Sequence, residues 1–198
     1  MSKERFKELL LSTKRDGVEK VFNNLEKLGF FEAPASTRFH LSTEGGLLEH
    51  SLNVCDMAVR LRELMIAKNP ELEAKLPFES ILLCSLLHDV CKAEIYKIGY
   101  RNKKNEDTGK WESVPVYETD YTHFPIGHGE KSVIRLMSWG IQLSMDEMLA
   151  IRWHMNAWDV PFQSYESLGN LSAARDKAPL VTLLQCADML ASGILETA

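Results

Sequence analysis

The stretch Leu86-Leu87-His88-Asp89-Val90-Cys91-Lys92 decides how this chain is read, because three polar residues close a run that is apolar from position 81 onward. A buried, uncompensated carboxylate costs several kcal/mol, and a cation is the simplest compensation. His88 and Asp89 diverge by only about 100° if helical, so both can reach one ion. Lys92 lies four residues past His88 and three past Asp89, on their face, where it could meet whatever the ion binds. The same three residues also suit a solvated helix end, with Lys92 answering the helix dipole.

Outward from this stretch the periodicity is helical. The helix carrying it is expected over about 78–92. Before it, Leu48, Leu52, Cys55, Leu61 and Met65 line a helix from 47 to about 67, stopped by Asn69-Pro70, with His50 in its first turn. A lone His beside an apolar face is usually a core residue with a backbone partner. A loop over 32–46 holds Arg38 and His40, and helices over 3–12 and 18–28 precede it as packing elements.

After the stretch, Tyr96, Ile98 and Tyr100 alternate with Lys97 and Gly99. A polar turn and then Trp111, Val114, Val116 and Tyr117 complete a β-hairpin over about 96–117, the one β signal. A loop containing His123 and His128 leads into a helix over 130–138. Ser144 and Glu147 form a capping box opening a helix over about 145–156, which holds His154. Residues 157–178 read as mixed, and a last helix covers about 179–195. Asp188 sits among Leu and Ala inside it, and a mid-helix Asp there needs a partner.

The bulk composition fits one domain over 1–198: 45% hydrophobic and 26% charged residues do not suggest disorder. A net charge of -5 argues against a duplex nucleic-acid surface, though not against a small basic pocket. Cys55, Cys84, Cys91 and Cys186 show no CxxC spacing and read as reduced, mostly buried thiols. The first residues lack a signal-peptide core and the apolar run at 81–87 is too short to span a membrane, so a cytoplasmic location is expected.

Six residues therefore ask for one explanation: His50, His88, Asp89, His128, His154 and Asp188. Imidazoles plus carboxylates suit iron, manganese, cobalt, nickel or zinc, and helical bundles build such sites from several helices. Their order, a His, a His-Asp pair, two further His and a late Asp, resembles the HD-domain superfamily of metal-dependent phosphohydrolases. The segments around His50, around His88-Asp89 with Lys92, Ile126-Gly127-His128-Gly129, and Ala187-Asp188-Met189-Leu190-Ala191 carry the likeness, over roughly residues 38–193. Locally it is most similar to the HD module of bacterial 3′–5′ exoribonucleases, without the nucleic-acid-binding domain that accompanies such modules. Two departures are visible: Met155 follows His154 where many binuclear members pair histidines, and the hairpin looks like an insertion.

The resemblance implies an all-α, HD-type helical bundle with one inserted hairpin. In binuclear members His50, His88, Asp89 and Asp188 would hold one metal, and Asp89 would bridge to a second held by His128 and His154; mononuclear members use only the first set. The metal would turn a bound water into hydroxide near neutral pH, which attacks phosphorus. Lys92 would neutralise charge on the phosphoryl oxygens. Lys131 could add a phosphate contact or be solvated, and Arg38 and His40 could line the pocket or stay on the surface. Trp111, Trp153 and Trp158 could stack a base or simply pack. The expected substrate is a nucleotide or another small phosphate ester. A di-iron HD-fold oxygenase and a nucleotide-binding sensor with a degenerate site are the alternatives.

Overall fold

The computed structural model describes residues 2–161 and 164–197. It is mostly helical, with one two-stranded antiparallel hairpin. Helices α1 (Ser2–Ser12) and α2 (Val18–Leu28) come first, and Gly29, at φ 76°, ends α2 in the left-handed conformation that a Cβ disfavours. Phe6, Phe22, Phe30 and Phe31 join them in an aromatic cluster.

The centre is α3 (Gly46–Lys68), packed against α4 (Phe78–Leu87) and α8 (Pro179–Leu190), with α6 (Met145–Trp153) against α8 and α5 (His128–Ser138) against α6. In α4 every residue from Ser80 onward is buried, which explains its lack of a polar face. Each Leu or Ile so buried contributes roughly 1.5–3 kcal/mol. No single helix among the described residues is long and apolar enough to cross a membrane.

The expected helix over 78–92 is shorter than the sequence suggests. Its α part ends at Leu87, and the chain tightens into a 3-10 turn over Val90–Glu94. Asp89, at φ -105° and ψ 19°, makes the break. Such a turn eclipses residues three apart, which puts Lys92 directly over Asp89. The helix expected over 130–138 begins earlier, at His128, and the one over 145–156 ends at Trp153, leaving His154 as its C-cap. The expected capping box is present: Glu147 N–H donates to Ser144 Oγ, and the Glu147 side chain accepts from Ser144 N–H.

Within the stretch read as mixed lies α7 (Tyr165–Lys177), capped by Ser164. Its only buried residues are Leu171 and Ala174, so no apolar stripe announced it. The expected last helix is also divided: α8 stops at Leu190 and a π-helical turn, Ala191–Leu195, follows. The hairpin strands β1 (Tyr96–Lys104) and β2 (Trp111–Thr119) pair from Tyr96↔Thr119 to Lys104↔Trp111, two residues beyond the expected end. Asp120 N–H donates to the Ile95 carbonyl at the base of the hairpin.

Candidate metal centre

Two of the histidines are placed by the same local device. His88 and His154 are the C-caps of α4 and α6, where the last carbonyls of a helix lack partners. Each turns its Nδ1–H back to the carbonyl three residues earlier: His88 to Ser85 at 2.9 Å, His154 to Ile151 at 2.7 Å. With Nδ1 donating, each neutral ring presents a bare Nε2. These two rings meet at 4.8 Å between centroids.

His50 comes from the first turns of α3. A Cβ on Gly46 would meet the Leu41 carbonyl oxygen at 2.1 Å, so that glycine lets the 35–41 loop close over the start of the helix. His128 opens α5, and Gly129 beside it allows α5 to lie on α6; a Cβ there would come 2.1 Å from Arg152 O.

These four imidazoles surround one carboxylate. Asp89 Oδ2 lies 3.4 Å from Nε2 of both His50 and His88. Its Oδ1 lies 2.6 Å from His128 Nε2 and 3.3 Å from His154 Nε2. Asp188, from the end of α8, brings Oδ1 to 3.4 Å from His50 Nε2. It also groups with His88 and His154 as potential ligands of one ion. All six residues read from the sequence as a ligand set are thus brought together.

Lys92 Nζ sits 2.6 Å from Asp89 Oδ2. Burial acts against its charge, but the Asp89 carboxylate outweighs it and raises the ammonium's pKa. Burial likewise opposes ionisation of Asp89, yet Lys92 and the surrounding imidazoles hold it well below the usual carboxylate range. The histidines divide. Burial lowers His88 and His128, whereas for His50 and His154 the adjacent Asp89 carboxylate overcomes burial and raises them, His50 to about 9. One raised imidazole thus stands on each side of Asp89.

Do these residues fit a metal? His154 Nε2 is buried and has no hydrogen-bond partner among the described residues, although it faces the carboxylate. An orphaned nitrogen at such a point is costly, and a cation resolves it. Four imidazoles and two carboxylates are a donor set for a divalent transition ion. These clusters could therefore hold metal.

The chain matches no known protein family model, and neither a curated protein nor a solved structure resembles it significantly.

A cavity of about 510 Å³ is bordered by Lys92, His128, Lys131, Tyr96, Tyr121 and Trp158. His50, His88 and His154 are buried beneath it. Lys131 is buried at this wall and is not the solvated lysine that was one of its two sequence readings. Arg38 is exposed over the Phe39 ring and lines a neighbouring depression with Arg101, outside the cavity. Trp153 is in the core, Trp111 is exposed on the hairpin, and Trp158 is exposed at the cavity rim. The Cys91 thiol, pushed up to about 12 by burial and by Asp89, stays protonated beside His128.

Sequence reasoning missed Glu196. Its buried carboxylate accepts from His50 Nδ1 at 3.0 and 3.1 Å and from Asn53 Nδ2 at 3.0 Å. The partners are 146 and 143 residues apart, and no local pattern links them.

Proposed function

We propose that the chain is a metal-dependent phosphohydrolase of the HD-domain type, acting on a nucleotide or another small phosphate ester. One observation carries this reading: the two oxygens of Asp89 face two separate pairs of imidazole nitrogens, as a carboxylate bridging two ions would. His50, His88, Asp89 and Asp188 would hold the first metal, and Asp89, His128 and His154 the second. Iron, manganese, cobalt, nickel and zinc all suit this set. When bound, such ions lower the pKa of a coordinated water toward neutrality and so supply a nucleophile for phosphorus.

The chain's own residues do the rest. Lys92 stays charged at the cavity wall, where its ammonium offsets negative charge growing on phosphoryl oxygens. Lys131 lines the same wall and offers a second cation. The opening of α5, with Gly127 and His128 at the cavity, presents backbone N–H groups to an anion. Tyr96, Tyr121 and Trp158 offer flat apolar faces to an organic group on the phosphate.

The test is a screen of nucleoside monophosphates, cyclic nucleotides and simple phosphate esters with manganese, cobalt or nickel. Phosphate ester cleavage that EDTA abolishes and added metal restores is expected. Oxygen consumption by iron-loaded protein, without hydrolysis of any ester, would instead assign the di-iron oxygenase chemistry.

A further inference from the structure

We propose that Glu196 is a positioning residue for the metal centre, holding the His50 ring so that Nε2 points at the first metal position. The inference rests on the metal reading above and extends it to a residue outside the ligand set.

The two nitrogens of His50 face opposite carboxylates delivered by one segment of chain. Asp188, near the end of α8, lies 3.4 Å from Nε2. Glu196, eight residues later, lies 3.0 Å from Nδ1. A continuing α-helix would carry the chain past the ring. Instead the π-helical turn Ala191–Leu195 widens the path, and Glu196 N–H closes it by donating to the Ala191 carbonyl at 3.0 Å. The Glu196 side chain then returns into the interior at 1% exposure.

A buried carboxylate there is costly unless each oxygen is used. Asn53, three residues after His50 on α3, donates to Oε1 at 3.0 Å and fixes the carboxylate against the same helix. His40 closes the far side: its ring packs 4.9 Å from the His50 ring, and its Nε2 is 3.9 Å from Glu196 Oε2. The imidazole is thereby fixed in rotation, with a proton on Nδ1 and Nε2 turned to Asp89 and His88. His88 and His154 obtain the same orientation from their own helix-end carbonyls. His50, inside a helix whose carbonyls are occupied, has no such acceptor, and Glu196 supplies it. Outer partners of this kind typically change metal affinity 10–100-fold when removed.

The experiment is a cobalt(II) titration of metal-stripped full-length protein, followed by calorimetry, with Glu196→Leu and Glu196→Gln. Wild type should bind two ions. In Glu196→Leu one of the two affinities should fall 10–100-fold, with the other unchanged. Glu196→Gln retains an acceptor for His50 Nδ1 and should recover most of the loss. Melting temperatures of the metal-stripped proteins separate positioning from simple stability. A Glu196→Leu protein that melts lower yet binds both ions like wild type overturns the proposal. If that variant does not fold, the Gln variant decides: both affinities lowered as far as for His50→Ala would overturn it. Wild type taking up no cobalt would overturn the metal reading itself, and this inference with it.

Discussion

Asp89 faces more nitrogen than a carboxylate ordinarily does: four imidazole nitrogens and the Lys92 ammonium lie within 3.4 Å of its two oxygens. In metal-loaded protein, where bound cations would still compensate Asp89, Lys92→Ala should keep metal content and melting temperature near wild type and cut turnover by about 10²–10³-fold, the usual loss for a charge-stabilising group. Unchanged turnover would reduce Lys92 to a counter-charge for Asp89. A pH effect follows from His50, whose folded pKa of about 9 exceeds its ordinary 6.5. A group raised on folding stabilises fully below its unfolded pKa and loses that contribution as pH climbs through the folded one. Metal-free protein is therefore expected to lose several degrees of melting temperature between about pH 6.5 and 9. Metal requires the deprotonated ring, so its apparent affinity should rise over the same window. Thermal melts with and without metal at three pH values check both signs; parallel curves would contradict them. The cluster was legible in part because His50, His88 and His154 stand in apolar surroundings and Asp188 interrupts a Leu/Ala helix, each an anomaly visible locally. His40, read as a residue that could line the pocket, does line the cavity, whereas Glu196 was not legible, since its role depends on contacts across the fold.

Helix ends build the centre. α4 and α6 each end on a histidine, and α5 begins on one. The close approach of α5 to α6 depends on Gly129. Gly129→Ala places a Cβ 2.1 Å from Arg152 O, so the helices must separate. Overpacking of this kind costs about 1–3 kcal/mol. The expected result is a melting temperature lower by several degrees and weaker binding of the metal assigned to His128 and His154. Differential scanning calorimetry and cobalt titration measure the two effects, and wild-type values for both would show that the contact is not a constraint. Apolar stripes and capping signals marked α1 to α3 and α6 well. They failed where tertiary contacts override local preference. The break after Leu87 arises because His88 and Asp89 turn toward the cluster, and α7 buries too few residues to produce a periodic pattern.

Across the molecule, the buried cluster is enclosed by α3, α4, α5, α6 and α8, while the hairpin projects with most of its side chains exposed. Only its base, through Ile95, Tyr96 and Thr119, borders the cavity. Replacing residues 98–117 with a short Gly-Ser turn should leave metal content intact and melting temperature within a few degrees, and should change which esters are accepted. A metal-free or insoluble product would place the hairpin in the stabilising core. The helical character and the hairpin were legible from periodicity alone; which wall of the cluster is open was not, because access depends on how the 35–41 loop, the hairpin base and α5 meet. Anomalous diffraction from a crystal grown with manganese or cobalt shows whether Asp89 stands between two metal positions. Two peaks are predicted, one beside Asp89 Oδ2 with His50, His88 and Asp188, the other beside Oδ1 with His128 and His154, separated by about 3.5–4 Å as in other two-metal sites. A single peak with His128 and His154 uninvolved, or no peak at Asp89, would contradict it.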